Sequence, residues 1–587
     1  MMYFYRLLPF LCLSFVMACS GSGSGGGAAP TASDLDNGSV ETCYDVRISY
    51  TASNQLKNIC TTREFGGFNG LGVSRFMRFS LGSAATVSIN VSRTSGLDPA
   101  DPDLVLYRNG QIIQMADSVQ FNDEAMTTAL AAGNYVVLLN EYVYSAFNNK
   151  SQGSTAVSIK QNETVIPGLQ KKLVSDNNIQ SKNDSTCDTT NEIAVSGFAL
   201  FERVTPSFIP ASGVSLDYPG AQIQPIQQAV VEVICNNGVY SSTISAADGS
   251  YSLALPSGQQ SIVRVRAQML QTGTPNWNIS IVDNTTSGQP VYVMDSQPFI
   301  STVDQAGMNL QADSGWDNNF LRYTGPRVAA PFAILDSVRK AKDKVLAESA
   351  SLSFPELKIN WSVNNTTSPL GTLESGAIES SFFDGNEIYL LGAADNDTDE
   401  YDEHVIIHEW GHYFEDFFSR SDSIGGVHSF GDILDPRVVF GEGFGNALSA
   451  MITDDPLYID TNGRQQNDGF TINLENNICM NAGWYSECSI QSVLYDIYDA
   501  DNDMQDSVSM GFSPVFNVLQ VAQKNTAALT TIFSFIKALK DQNPANANAI
   551  DALTSGQSID PILDIYGTSQ FSNDPGATDQ LPVYEIY

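Results

Sequence analysis

The sequence predicts a multidomain protein in which two all-β sandwiches are followed by an α+β domain. Three observations lead there. The 587 residues exceed what one hydrophobic core usually fills and allow several domains. Through the first half of the chain apolar residues alternate with period two, as half-buried strands require. From about residue 310 the period lengthens to that of amphipathic helices.

The composition supports packed cores: 42% of residues are hydrophobic and 10% aromatic, unlike a disordered chain. Asp and Glu number 65 against 29 Lys and Arg, a formal net charge of -36. Phosphate backbones are bound by clustered cations, so this balance argues against nucleic-acid partners. It reads instead as solubility.

Arg6 gives a short positive region, and Leu7 to Met17 is an apolar run too short to span a membrane stably. It ends in Val16-Met17-Ala18-Cys19, followed by Ser20-Gly21-Ser22-Gly23-Ser24-Gly25. This resembles a bacterial lipoprotein signal. The resemblance implies removal of residues 1–18, lipidation of the Cys19 thiol, and a membrane anchor of acyl chains. Ser20 after the Cys implies the outer membrane of the cell envelope. An ordinary secretory signal gives export as well. Residues 19–42 read as a flexible linker.

Beyond Cys12 and Cys19, the cysteines are Cys43, Cys60, Cys187, Cys235, Cys479 and Cys488. An even set in an exported chain points to disulfides. Neighbour pairing (Cys43–Cys60, Cys187–Cys235, Cys479–Cys488) is the simplest of the about 15 connectivities six cysteines allow. None has the CxxC spacing of a zinc or redox site.

Residues 43–160 are expected to form the first sandwich. Thr86-Val87-Ser88-Ile89-Asn90-Val91 alternates. Asp103-Leu104-Val105-Leu106-Tyr107 runs into Asn109-Gly110, a hairpin turn signal. Ala132 to Leu139 is a further strand. The "DPDLVLYRNG … AAGNYVVLL" layout resembles the pre-peptidase C-terminal β-sandwich domains that accompany secreted bacterial peptidases. Residues 161–190 are polar and read as a linker. Residues 191–300 carry Ala229–Ile234, Asp248-Gly249 as a hairpin turn, and Ile262–Val265. They look like the carboxypeptidase-regulatory-like Ig-type sandwich, here a spacer or folding support. From 310 to 587, helices are expected over 330–346, 403–418, 441–452, 489–499, 513–523 and 527–541. Leu357–Trp361 and Glu387–Leu391 read as strands.

The chemistry concentrates in His408-Glu409-Trp410-Gly411-His412. On a helix, residues four apart share a face, with Cβ atoms about 5–6 Å apart. Two imidazoles at that spacing can grip one Zn²⁺ at about 2.0–2.1 Å. Glu409 is then placed to take a proton from a water that zinc acidifies to a pKa of about 7. This is the HExxH mechanism. Val405, Ile406 and Ile407 give an apolar wall before the ligands, and Asp402-Glu403 suits the helix start. All four histidines of the chain, His404, His408, His412 and His428, fall in this one stretch. Scatter would rarely group them so.

A catalytic zinc usually takes three protein ligands. The HExxHxxGxxH pattern is absent, because positions 415 and 418 are Glu and Phe. Glu442, in Gly441-Glu442-Gly443-Phe444-Gly445-Asn446, is the expected third ligand, with His428, Asp432 and Asp435 as alternatives. His408-Glu409-x-x-His412 followed by Glu442 and Asn446 resembles the gluzincin group of zinc peptidases, which gives the α+β domain a zincin-like reading. The resemblance implies Glu442 on a second helix packed against the first, with Asn446 holding a ligand ring. The gap from His412 to Glu442 is longer than in the thermolysin pattern, and Asn replaces its Asp. The glycines beside Glu442 favour close helix packing. The strand Glu387–Leu391 stands where zincins place the edge strand that pairs with an extended substrate.

An oxyanion donor is also required. His428, Tyr485, Tyr495 and Tyr498 are the candidates, with His428, in a Gly-flanked loop, preferred. His404 reads as a helix-start residue and Asp496 as a solvated helix face or a support for His412. The acidic runs 395–399 and 499–503 offer oxygen donors for Ca²⁺ but lack the Gly and Glu of an EF-hand. Solvated loops are the default. These features point to a lipid-anchored zinc peptidase acting on proteins or peptides. The rivals are an envelope binding or adhesion lipoprotein with a non-catalytic domain, and a zinc hydrolase acting on another amide or ester.

Overall fold

The strand expected at Thr86–Val91 is found as Ala85–Ser95, with Val87, Ile89 and Val91 buried on one face. It lies between Glu41–Tyr50 and Asp123–Leu130 in a four-stranded sheet closed by Ser53–Thr62. Facing it is a sheet of Gln111–Ala116, Pro102–Arg108, Gly133–Glu141 and Ser74–Leu81. Asn109 and Gly110 both adopt left-handed φ, 49° and 73°, as a two-residue hairpin turn demands. A fifth strand was not expected. Tyr584–Ile586 runs parallel to Ser74–Leu81, and Tyr587 enters the same core as Val46, Ile89 and Leu106. The end of the chain thus completes the first sandwich.

This computed structural model describes residues 17–19, 41–51, 53–63, 65, 67–118, 121–147, 187–188, 190–210, 213–476, 478–500, 507–572 and 581–587. The expected signal segment and the linkers at 19–42 and 161–190 fall almost wholly outside them. No helix among the described residues is long and apolar enough to cross a membrane.

In the second β unit, Glu192–Arg203 pairs with Ser250–Pro256, Gln222–Pro225 and Leu310–Ala312. The opposing sheet runs Gly238–Ile244, Ala229–Cys235, Gln260–Gln271, Trp277–Val282. Two expectations change here. Asp248-Gly249 does not join a paired hairpin. It passes the chain from one sheet to the other, with Asp248 Oδ1 accepting from the Ser250 N–H at 2.9 Å. Nor does the unit end at residue 300 as a separate spacer. Trp277–Val282 pairs in parallel with Leu357–Trp361, which pairs in parallel with Ile388–Leu390. Ile279 and Ile281 on the first and Ile359 on the second are fully buried, so separating the units would expose a continuous apolar seam.

The helices found in the C-terminal part are Ala330–Glu348, Glu403–Phe418, Pro436–Thr453, Glu487–Tyr498, Phe512–Asn517, Ile532–Gln542 and Ala547–Gly556. The third starts earlier than expected: Asp435 accepts from the Arg437 N–H at 3.0 Å and Pro436 sits in the first turn, both favourable helix starts. Ile532–Gln542 starts later, at the Thr531–Ser534 capping box. Three disulfides form as neighbour pairing predicted: Cys43–Cys60, Cys187–Cys235 and Cys479–Cys488. The protein is therefore multidomain and rich in β-sheet, with its helices gathered in the C-terminal part.

Candidate metal centre

Glu403–Phe418 buries nearly every residue, so it is a core helix that carries polar groups on one stripe. Its start is not capped as expected. The Asp402 carboxylate accepts instead from the Thr461 N–H and hydroxyl, each at 2.8 Å. Glu403 pairs with Arg203 of the second β unit at 3.0 Å and with Lys340 at 2.7 Å. These ties fix the helix against its neighbours ahead of His408.

The helix Pro436–Thr453 crosses it at close range, and glycine makes the crossing possible. A Cβ on Gly411 would sit 3.2 Å from Gly445 Cα, and one on Gly445 would sit 2.8 Å from His408 Nδ1. A Cβ on Gly443 would meet Ile490 of the Glu487–Tyr498 helix at 2.7 Å. Three helices thus close around one point.

At that point His408 Nε2 and His412 Nε2 are 3.1 Å apart. Glu442 Oε2 lies 3.2 Å from the first and 3.5 Å from the second. Donors held tetrahedrally at about 2.0–2.1 Å from one zinc stand about 3.3–3.4 Å from each other. The triangle therefore has the size and donor chemistry of a three-ligand zinc site. The imidazole tautomer also fits. His408 Nδ1 donates to Asn446 Oδ1 at 2.7 Å. Asn446 Nδ2 donates to Glu487 Oε1 at 2.7 Å and to Gln491 Oε1 at 2.8 Å, which fixes the amide the right way round. With its proton on Nδ1, His408 turns the Nε2 lone pair to the centre.

The electrostatics of the site favour a cation. Burial pushes the Glu442 carboxyl up, but His428, His412 and His408 around it hold it well below the usual carboxylate range. Burial pulls His408 down, yet Glu442, Glu409 and Glu487 raise it to about 9. Glu409 is 4% exposed, and its Oε2 is buried without a hydrogen-bond partner. Burial raises its pKa, His408 and His412 oppose the rise, and the Phe383 backbone N–H donates to the carboxylate.

His428 lies within the centre, but not on an open cleft. It is 2% exposed. Its Nδ1 donates to Gly426 O at 3.0 Å, and its Nε2 faces Glu442 and Glu487, each at 3.7 Å. That places it beside Glu442, where it supports the carboxylate charge. Asp432 accepts from the Ser429 N–H at 2.8 Å, and Asp435 caps its helix and pairs with Arg437 at 2.9 Å. Neither reaches the centre. Tyr498 binds Asp454 and Lys344, Tyr495 packs on Tyr498, and Tyr485 packs on Trp484. His404 bonds Asp455 O at 3.1 Å and ties the far end of the Pro436–Thr453 helix. Asp496 is buried rather than solvated.

The edge strand also moves. Ile388–Leu390 is not outermost: Phe382–Phe383 folds back on it in antiparallel pairing. The reversal turns at Gly385, φ 94°, after Asp384, whose carboxylate accepts from the Asn386 and Glu387 N–H groups. The Asp384-Gly385 dipeptide is the signal that marks this hairpin. Sequence reasoning also missed Glu487 and Gln491. They sit four apart on one helix face, beside Cys488, and that spacing was the available clue.

Asn446 offers a direct check. Asn446→Ala removes the acceptor that orients His408 and is expected to weaken zinc binding about 10–100-fold. Zinc competition against a chromogenic chelator measures it; unchanged affinity would show that Asn446 plays no part in holding the ring.

Residues 348–555 match the family described as Mycolysin C-terminal domain, a peptidase-associated family. The matched segment contains His408, Glu409, His412, His428, Glu442, Asn446 and Glu487. No curated protein matches the chain. Among solved structures, the Ca²⁺-stabilised adhesin that helps an Antarctic bacterium reach out and bind ice is 10% identical over 46% of this chain and 66% of its own, with a TM-score of 0.10. The GH2 β-galacturonidase from Eisenbergiella tayi bound to galacturonate is 7% identical over 64% of this chain and 61% of its own, with a TM-score of 0.07. The chain spans less than two thirds of either protein, and scores so low define no shared overall fold. This is a multidomain protein, rich in β-sheet, with a peptidase-related C-terminal segment.

Proposed function

We propose that the protein is an exported, zinc-dependent peptidase of the HExxH kind, anchored through a lipidated Cys19 in the cell envelope and acting on proteins or peptides. The observation that carries this reading is the donor triangle of His408, His412 and Glu442 with the Glu409 carboxylate beside it. When bound, zinc supplies a Lewis acid and a water acidified to a pKa of about 7.

The chain's own residues do the rest. Asn446 keeps the His408 proton on Nδ1. Glu409 receives a proton on its unpaired Oε2 while the Phe383 N–H steadies the carboxylate. Burial raises its proton affinity, the direction that suits a general base. Phe382–Phe383, outermost in its sheet among the described residues, supplies the edge against which an extended substrate backbone lies. His428 is a positioning residue that acts through Glu442.

The test is zinc content measured together with casein hydrolysis, before chelation, after it, and after zinc is restored. The expected result is about one zinc per chain, hydrolysis lost on chelation, and recovery with zinc. Casein cleavage by the zinc-free protein would refute the reading, and a zinc-loaded protein that cleaves no peptide would favour the binding-protein alternative.

A further inference from the structure

We propose that Asp397, Asp399 and Asp460 form a second cation site, taking Ca²⁺, on the flank of the zinc-binding helices. One oxygen from each carboxylate lies within 4.8 Å of the others. Ca²⁺ binds oxygen at about 2.3–2.6 Å, so it can bridge oxygens up to about 5 Å apart. All three donors are oxygens, which suits a hard cation and not zinc.

A cluster of carboxylates in water would need no cation. These are not in water. Asp399 is 3% exposed, and the adjoining Asp402 is 0% exposed. Asp397 and Asp460 are partly buried residues, but the Oδ1 atom of each is shut away from solvent and has no hydrogen-bond partner. Two orphaned buried acceptors in one cluster are costly unless a cation or a proton meets them. The nearby guanidinium of Arg327 is committed to Glu400, Thr398 and the Gly392 carbonyl. Burial drives the carboxyls of Asp397, Asp399 and Asp402 well up, and the charge of Asp460 adds to the rise in all three.

The location gives the site a role. Asp397 belongs to the short strand Asp397–Thr398, and Asp399 directly follows it, just before the helix that carries His408 and His412. Asp460 belongs to Leu457–Asn462, the strand that follows the Pro436–Thr453 helix. Asp397 pairs with Asn462 across these strands. Asp399 accepts from the Ser381 hydroxyl, which in turn accepts from the Leu391 N–H at 2.9 Å. Ser381 directly precedes Phe382–Phe383, whose N–H holds Glu409. A cation here clamps the approaches to both helices and the strand that positions the base.

The experiment uses the zinc-loaded full chain in calcium-free buffer, with zinc content monitored throughout. Adding CaCl₂ to about 100 times the dissociation constant is expected to raise Tm by roughly 2 °C. Tb³⁺ is expected to bind with luminescence sensitised by Tyr458, two residues from Asp460 on the same strand, and to be displaced by Ca²⁺. Asp460→Asn is expected to abolish both responses while zinc content stays unchanged. A wild-type Tm indifferent to calcium would overturn the proposal, because the carboxyls would then be sharing protons. So would an Asp460→Asn protein that responds as wild type does. Should that variant not fold, the wild-type protein alone decides: Tb³⁺ luminescence that Ca²⁺ does not displace overturns the site. Since zinc is measured in the same samples, failure here leaves the zinc reading standing.

Discussion

Glu409→Gln is expected to keep its zinc and to lose about 10³-fold in kcat/KM on a peptide substrate, within the range a positioned general base contributes. The substitution suits the question because it changes little else. Gln has the same shape, and its amide oxygen can still accept the Phe383 N–H. The Glu409 Oε2 has no hydrogen-bond partner to lose. Glu409 is not among the three converging donors, so metal analysis should find wild-type zinc. A burial that disfavours the carboxylate also means the neutral side chain should fold at least as stably. Turnover within about tenfold of wild type would remove Glu409 from the chemistry.

Glu442→Gln should do the reverse, losing the metal and, with it, the activity. Glu442 Oε2 is the one anionic corner of the triangle, 3.2 and 3.5 Å from the two imidazoles. Around it His408, His412 and His428 all favour the charged form. A neutral amide forfeits that charge and a ligand together. The expected loss of zinc affinity exceeds the roughly 100-fold upper end found for partners that only orient a ligand. The contrast with Asn446→Ala, which keeps all three donors, is part of the prediction. Equilibrium dialysis against a zinc buffer measures both, and equal losses in the two variants would mean Glu442 is no ligand.

What could be read in the letters was whatever is local. His408 and His412 share a helix face because residues four apart always do. Gly441, Gly443 and Gly445 announced a close approach, and Gly445 indeed lies against the His408 ring. Asn446 came from the resemblance to the gluzincin pattern, four positions after Glu442. All three disulfides formed between cysteines adjacent in sequence order, with separations of 17, 48 and 9 residues.

What stayed hidden depends on tertiary placement. Glu487 and Gln491 come from a third helix, and only packing shows that they grip Asn446. The Phe383 N–H is a backbone donor, which no residue type encodes. His428 looked free in its glycine loop, whereas the fold sets it beside Glu442. The parallel pairing of Trp277–Val282 with Leu357–Trp361 joins strands far apart in sequence. The same is true of Tyr584–Ile586 on the first sandwich, and non-local pairing leaves no periodic mark. Asp460 belongs to the same class, since only the fold brings it to Asp397 and Asp399.

The central claim is that two imidazoles and one carboxylate hold a single zinc. X-ray absorption at the zinc edge of the purified protein tests it most directly. The account predicts a first shell of nitrogen and oxygen only, at about 2.0–2.1 Å, with the outer-shell scattering of two imidazoles. A shell containing sulfur at about 2.3 Å, or one without imidazole scattering, would contradict it.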